Sequence, residues 1–454
     1  MGTPRDRLPS HERGAGRREG RVVSLLDDAR AVIAEGPVCD ACLGRVFADR
    51  SFGLTNHERG NALRVTVALA DDEPYEAPDP DECWVCEGET ERFDAWAAQV
   101  VEALEGVEFE TYQVGTRVPP LFEENERLLR ESAGLDPEAG ELLKSEVNRE
   151  VGKRVGAETG TTVDFQRPDV LALLNVDRGD VDVQVNPAFV YGRYRKLERD
   201  IPQTEWPCRE CGGSGKQLAD GGGEEPCEYC DGAGYMYETS VEGLTTPPVV
   251  EAMDGSEGVF HGAGREDVDA RMLGTGRPFV VEVKRPRRRT PDLEALEHEI
   301  NERADGAAEV EGLRLATYEM VERVKELLAS KTYRMDVEFA EPVDEASFEA
   351  ALAALDGATI EQETPNRVAH RRADLTRTRE VYAADGELCD EYHAELEIHG
   401  AGGLYVKELV SGDEGRTEPS LAGLLGVEAV VTALDVLAVE GEEEAFDEPE
   451  YLRS

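Results

Sequence analysis

The segment that decides the fold is GREDVDARMLG at residues 264–274, followed by GRPF and an apolar run over residues 279–283. The glycines predict a turn-rich loop, and the apolar run predicts a strand that follows it. Asp267 lies between Arg265 and Arg271, so the loop holds a carboxylate in a positive local field. Such a field keeps an aspartate ionised and oriented, as a nucleophile requires. Asp267 is therefore a candidate catalytic residue.

Two later segments have the character of strands. Residues 331–334, KTYR, open a run in which apolar side chains alternate at positions 333, 335, 337 and 339. This period of two predicts a half-buried strand with Tyr333 on its inward face. Residues 403–409, GLYVKEL, also read as a strand, and they carry Val406 and Lys407.

The three segments occur in the order found in pseudouridine synthases, namely an aspartate loop, a strand aromatic and a late basic residue. The longer text, including YVKELVSGDEGRTEPS at residues 405–420, resembles the archaeal and eukaryotic THUMP-bearing tRNA pseudouridine synthases, the tenth named Pus family. The resemblance extends from about residue 25 to about residue 440. It implies an α+β fold, in which a catalytic domain with a mixed, mainly antiparallel sheet follows an N-terminal zinc-binding and THUMP-containing α/β region.

The resemblance also implies roles for the site residues. Asp267 matches the nucleophile of the Gly-Arg-x-Asp motif, with Asp269 as its competitor. Tyr333 would stack on uracil and relay the proton from C5, and Lys407 would pair with Asp267. The conversion of uridine to pseudouridine is an isomerisation, so the resemblance implies that no cofactor is needed. The nucleophile would attack either ribose C1′ or uracil C6, or assist glycal formation.

Each assignment has a plainer alternative. Tyr333 could be a core tyrosine, and Lys407 a surface lysine on an edge strand. Val406 would line the uracil pocket, although neighbouring residues of a regular strand face opposite sides. Arg265 would either fill the space left by the extruded base or hold a phosphate.

Eight of the nine cysteines form four Cys-x-x-Cys pairs. In a reducing cytoplasm this spacing favours structural zinc over disulfides, and two pairs complete one tetrahedral site. Glycines after the last two pairs permit turns in which backbone amides approach the sulfurs. Cys389 stands apart, and we interpret it as a buried small hydrophobe. The predicted zinc ligands are Cys39, Cys42, Cys83 and Cys86 in one site, and Cys208, Cys211, Cys227 and Cys230 in the other.

The 454-residue chain carries 98 acidic and 49 basic residues, a net charge of −49, and only eight of the bases are lysine. The negative charges repel one another and destabilise the fold unless salt screens them. The composition therefore indicates the molar-salt cytoplasm of a halophilic archaeon. The affinity of basic side chains for RNA phosphates falls as the salt concentration rises. An enzyme that binds RNA in such a cytoplasm must therefore concentrate its basic residues locally. The densest basic run beyond the tail, Lys284 to Arg289, is a candidate phosphate-binding loop that includes Arg285, Arg287, Arg288 and Arg289. The alternative is a solvated loop.

We predict a basic disordered tail at residues 1–20, a zinc-knuckle region at 21–96, a THUMP-containing RNA-binding domain at 97–200, a four-cysteine module at 206–236 and a catalytic domain at 237–454. The family resemblance implies an enzyme that acts on the T-loop of tRNA at uridine 55 and also 54, or at one of these alone, and that reaches the acceptor end. We expect a monomer. Because the sequence has no secretory signal and no long apolar run, we expect a cytoplasmic protein with no membrane contact. We also expect no nucleotide cofactor.

Two other interpretations stay open. One is another THUMP-type tRNA-modifying enzyme, either a methyltransferase or a thiolation enzyme, although the cofactor loops that these require are not found in the sequence. The other is a non-catalytic, zinc-stabilised RNA-binding protein.

Overall fold

The computed structural model describes residues 24–219, 222–326, 329–366, 375–440, 446 and 448–453. They divide into two compact units. The first takes the described part of Met1–Glu105 together with Tyr112–Phe165 and Leu171–Val183, and the second takes Gly106–Thr111, Gln166–Val170 and the described residues from Gln184 onward. The basic tail predicted at residues 1–20 lies outside the described residues.

The first unit combines helices with a small sheet. Its helices are α1 (Leu25–Ala34), α2 (Asp40–Val46), α3 (Asn56–Asp71), α4 (Phe93–Ala103), α5 (Pro120–Ser132) and α6 (Leu143–Thr159). Its strands are β1 (Thr111–Arg117), β2 (Thr162–Val163), β3 (Val170–Asn175) and β4 (Asp180–Val185), in the order β2-β1-β3-β4.

Local sequence signals account for two of these helices. Ser24 caps α1 through a reciprocal capping box with Asp27, as its position before the apolar face predicts. Val147, Val151 and Val155 recur at four-residue steps in α6, and all three are fully buried.

The second unit is built on one large sheet. Its strands are β5 (Ala188–Lys196), β6 (Lys216–Leu218), β7 (Glu224–Pro226), β8 (Glu257–Gly262), β9 (Arg271–Lys284), β10 (Ala308–Ala316), β11 (Ser330–Phe339), β12 (Thr359–Gln362), β13 (Arg377–Asp390), β14 (His393–Gly400), β15 (Thr417–Glu418) and β16 (Ala429–Glu440). Its helices are α7 (Val241–Ala252), α8 (Leu293–Ala304), α9 (Tyr318–Glu326), α10 (Glu345–Leu355), α11 (Val406–Ser411) and α12 (Leu421–Leu425).

Within the described residues, ten strands form this sheet in the order β10-β5-β9-β16-β11-β14-β13-β12-β15, with β8 beside β9. The β9–β16 pairing is parallel and the other described pairings are antiparallel, which confirms the mixed, mainly antiparallel sheet. β6 and β7 form a separate hairpin within the second cysteine module. β5, in which aromatic and basic side chains are interleaved over residues 191–196 (YGRYRK), lies between β9 and β10.

The centre of the sheet is covered on both faces at β9. Phe279, Val281 and Val283 face a core that includes residues of α7 and α8, whereas Val280 faces a second cluster with residues of α9. This double burial explains why residues 279–283 are apolar without alternation.

Two local predictions were wrong. Residues 406–411 form the helix α11 instead of a strand, and Cys389 is exposed on β13 instead of buried. None of the helices in the described part of the chain is both long and apolar enough to cross a bilayer.

Candidate active site

The aspartate loop, β16 and β11 meet because of the register of the large sheet. β16 lies between β9 and β11, and Val436 is paired with both Met272 of β9 and Tyr333 of β11. The loop that ends at β9 therefore lies level with the first half of β11. The sheet thus brings Asp267 and Tyr333, which are distant in sequence, to one pocket.

This pocket has a volume of about 530 Å³. Its polar and charged lining includes Arg265, Asp267, Arg277, Lys331, Tyr333 and Lys407. Its apolar lining includes Val268, Ala270, Leu404, Val406, Leu434 and Val436. Charged and apolar side chains in one lining suit a ligand that has both polar groups and apolar surface.

Lys407 connects the pocket to the aspartate loop. Its Nζ lies 3.2 Å from Oδ2 of Asp267 and 3.1 Å from Oδ2 of Asp269. Asp267 lines the pocket, whereas Asp269 does not and its side chain is more exposed, at 63% against 38%. The structure thus brings Lys407 to both aspartates, and only Asp267 faces the cavity.

The helix α11 resolves the difficulty that a strand raised for Val406 and Lys407. In a helix, consecutive side chains are about 100° apart instead of on opposite faces, so both reach the same cavity. Gln362, which is fully buried, fixes the start of this helix. Its amide nitrogen donates to the carbonyl of Tyr405 at 3.0 Å, and its amide oxygen accepts from the Tyr405 N–H at 2.9 Å. Sequence reasoning missed Gln362, since no local pattern indicates this long-range contact.

Tyr333 is 7% exposed and lies on the inward face of β11, as the alternation predicts. Burial, with a smaller contribution from the charge of Asp267, raises the pKa of Tyr333 to about 12 against the opposing effect of Arg277. The phenol is therefore neutral at physiological pH and available to donate or pass on a proton.

A buried polar network lies beneath the aspartate loop. The Tyr194 hydroxyl donates to the Glu266 carboxylate, 2.9 Å from Oε2, and the side-chain amide of Gln203 donates to Tyr194 at 2.8 Å. Arg277 Nε lies 2.8 Å from Glu266 Oε2, and both side chains are almost inaccessible. Burial, followed by the charge of Glu266, holds the pKa of Tyr194 well above its usual range. The residue next to Asp267 is thus held by a charged pair inside the protein.

Lys196 fixes the backbone of the same loop. Its fully buried ammonium donates to the carbonyls of Ile201 at 2.7 Å, Val268 at 2.9 Å and Asp267 at 3.2 Å. Burial lowers the pKa of Lys196 despite the opposing charge of Glu266. Sequence reasoning missed this residue as well, although the scarcity of lysine in the chain was a usable signal. Of the eight lysines, Lys196, Lys331 and Lys407 all lie at this site.

Arg265 lines the pocket, and its guanidinium carbon lies 5.2 Å from the centre of the Trp206 ring. The other predicted arginines follow the far end of β9. That end lies roughly 27 Å from Met272, because Met272 and Val283 pair with Lys196 and Ala188, eight residues apart on β5. Arg285, Arg287 and Arg288 are exposed there. Arg289 is buried instead, 3.1 Å from Asp169 Oδ1, and donates to the Asp169 carbonyl at 3.0 Å. Its guanidinium is thus occupied within the protein.

The two four-cysteine clusters have the geometry that zinc requires. A tetrahedral zinc with bonds of about 2.3 Å holds its sulfurs about 3.8 Å apart. Cys39 and Cys86 lie 3.7 Å apart and Cys42 and Cys83 3.6 Å, while Cys208 and Cys227 lie 3.9 Å apart and Cys211 and Cys230 3.8 Å. In each cluster all four sulfurs lie within 4.8 Å of one another.

Backbone amides reach the sulfurs of the second cluster, as the glycines predict. The N–H of Gly215 donates to Cys211 Sγ and that of Gly234 to Cys230 Sγ, both at 3.2 Å. In the first cluster, Arg45 donates to Cys42 Sγ at 3.1 Å. These donors favour thiolates, so both clusters could hold a structural zinc ion.

The family described as "Pus10, C-terminal" matches residues 189–440. The chain belongs to the Pus10 family. The archaeal Pus10 THUMP domain matches residues 96–175, which confirms the presence of a THUMP domain.

Three Pus10 relatives show how far the similarity extends, each named tRNA pseudouridine synthase Pus10. The one from Halorubrum lacusprofundi is 63% identical and covers 95% of this chain and 100% of its own length. The one from Methanothrix thermoacetophila is 45% identical, covering 92% of this chain and 95% of its own. The one from Pyrococcus furiosus is 39% identical and covers 91% of this chain and 98% of its own length. Halorubrum lacusprofundi is a halophilic archaeon, in agreement with the acidic composition.

Proposed function

We propose that this chain is a tRNA pseudouridine synthase that isomerises uridine 55, and also uridine 54, of the T-loop. The observation that carries the proposal is the meeting of Asp267, Tyr333 and Lys407 at one pocket whose lining is partly apolar. Family membership supports the reaction class.

The reaction breaks the N1–C1′ bond of uridine and forms a C5–C1′ bond. A proton leaves C5 and N1 of the product carries a proton, so no atom is gained or lost. The uridine first leaves its stack and enters the pocket, where Tyr333 contacts the ring and Val406, Leu434 and Val436 exclude water. Asp267 acts as the nucleophile and Lys407 keeps it charged and oriented. Tyr333 relays the C5 proton after the ring has turned and rejoined the ribose.

The proposal also assigns RNA contacts to residues outside the catalytic set. Arg265 at the rim of the pocket occupies the space of the extruded base or binds a phosphate. Arg285, Arg287 and Arg288 contact phosphates remote from the target uridine. The THUMP-containing region binds the acceptor end, and the protein works as a cytoplasmic monomer with two structural zinc ions.

The test is release of tritium from a tRNA transcript labelled at C5 of uridine, assayed in molar KCl. We expect release by the wild-type protein and none by Asp267→Ala, with Asp269→Ala as the matched control. Transcripts in which uridine 54 or 55 is replaced by cytidine assign the position. Absence of release by a folded wild-type protein on every transcript would refute the proposal.

A further inference from the structure

Trp206 is held in place by the base of the second cysteine cluster. The Met236 N–H donates to the Trp206 carbonyl at 2.9 Å, and the Cys208 N–H donates to the Gly234 carbonyl at 2.8 Å. Pro207 and Tyr235 form an antiparallel bridge between these two contacts. The chain entering the cluster and the chain leaving it are thus clamped together, which fixes the backbone on either side of Trp206 and Tyr235.

Trp206 forms part of the wall of two cavities. One is the candidate active site, and the other is a smaller cavity of about 200 Å³. Arg265, which lines the first, lies 5.2 Å from the indole centre. Tyr237, which lines the second, packs edge-to-face against the indole at 5.4 Å. Trp206 is therefore shared by the candidate active site and its neighbouring cavity.

The lining of the smaller cavity indicates the chemistry of its ligand. Three aromatic side chains, Trp206, Tyr235 and Tyr237, line it together with the carboxylates of Glu205 and Glu238. Glu205 is close enough to Tyr235 for its charge to raise the pKa of that phenol. Arg303 is the basic residue of the lining. Two carboxylates against one guanidinium disfavour a phosphate, whereas aromatic rings and hydrogen-bond acceptors suit a flat ring with N–H donors.

The size of the cavity agrees with one base. Pockets that enclose drug-sized ligands measure about 300 to 1,000 Å³, so a cavity of about 200 Å³ suits a smaller fragment. A single aromatic side chain shared by the two cavities also suits adjacent nucleotides of an unstacked loop, because both bases can contact it.

We propose that the smaller cavity is a second nucleobase site, which takes the base next to the target uridine in the same RNA loop. This inference rests on the proposed function, since the target uridine defines the position of its neighbour. Trp206 then contacts both bases, and Tyr235 and Tyr237 hold the neighbour. The second cysteine cluster acts as the support that positions these rings.

The test pairs protein variants with single abasic sites in the tRNA. The kcat/KM for tritium release is measured for wild type, Tyr237→Ala and Tyr229→Ala on transcripts that carry the label at uridine 55 alone. One transcript is intact, and the others are abasic immediately before or after uridine 55. Tyr229 is the matched control, since it is 53% exposed, lies in the same cluster and does not line the cavity. Circular dichroism confirms that each variant is folded.

We expect one abasic position to lower the wild-type kcat/KM by about 10-fold, as loss of one stacked base should. Tyr237→Ala should show a similar loss on intact RNA and no further loss on the abasic RNA, while Tyr229→Ala behaves as wild type. As a binding readout, 2-aminopurine at that position should lose fluorescence with wild type and retain it with Tyr237→Ala.

Three results would overturn the second site. The wild type could be active with a kcat/KM that neither abasic position lowers. Tyr237→Ala and the abasic site could lower kcat/KM independently of each other, or Tyr229→Ala could lower it as much as Tyr237→Ala does. A folded wild type that releases no tritium from intact tRNA refutes the proposed function instead. Quenching of 2-aminopurine in equilibrium binding still reports on the cavity in that case.

Discussion

The ammonium group of Lys407 lies between the carboxylates of Asp267 and Asp269, 3.2 Å from the nearest oxygen of the first and 3.1 Å from that of the second. Distance alone does not separate the two aspartates, but only Asp267 lines the pocket. We therefore expect Asp267→Asn to lower kcat by more than about 10⁴-fold, as loss of a nucleophile does. Asp269→Asn should stay within about 10-fold of wild type. Single-turnover tritium release measures both, and equal losses would contradict the assignment.

Lys407→Met should lower kcat by about 100-fold or more. The substitution keeps the length of the side chain but removes the cation that two carboxylates share, so they repel each other and Asp267 loses its orientation. Lys407→Arg keeps the charge and should recover part of the activity. Steady-state kinetics on the same tRNA separates the two variants, and a fully active Lys407→Met would exclude the pairing as a catalytic element.

Tyr333 should make the stability of the fold sensitive to alkali. Its pKa in the folded protein is about 12, whereas in an unfolded chain it is about 10. Between these values the unfolded chain has lost the proton and the folded chain keeps it, so stability falls as pH rises. The loss from this residue is at most about 2.7 kcal/mol. Urea unfolding from pH 8 to 11 should show a shallower alkaline fall for Tyr333→Phe than for wild type.

Gln362 should act as a positioning residue for Lys407. Gln362→Leu removes both hydrogen bonds to Tyr405 and leaves its backbone groups unsatisfied, at about 1–3 kcal/mol of stability. We expect kcat to fall while KM changes little, because α11 loses its fixed start. Gln362→Glu still accepts from the Tyr405 N–H and should recover part of kcat. Gln184→Leu, on the exposed face of β4, is the control and should leave kcat unchanged.

The cysteine clusters predict two zinc ions per chain, measurable by mass spectrometry of the purified protein. The double variant Cys208→Ser/Cys211→Ser should retain one ion and melt at a lower temperature, because a structural zinc site contributes directly to folding. Cys389→Ser is the control, since Cys389 is exposed and belongs to neither cluster. Retention of both ions by the double variant would refute the second site.

The sequence predicted the parts of this structure that local patterns encode. The alternation at residues 333–339 placed Tyr333 on the inward face of β11, and the cysteine spacing identified both clusters. α11 was missed because its six residues include Val406 and Val410, which favour strands, and its start is fixed by Gln362 more than 40 residues away. Lys196 was missed for a similar reason, since its loop contacts arise only when β5 pairs with β9.

The position of the Glu266–Arg277 pair has a consequence for how the protein responds to salt. At 1 M salt, charges in solvent are screened beyond about 3 Å. The side chains of this pair are no more than 1% accessible, so dissolved ions do not reach them. The surface charges, by contrast, contribute to a net charge of −49 that dissolved ions must screen. Diluting the medium should therefore loosen the molecule from its periphery inward, and the support under Asp267 should be among the last features to respond.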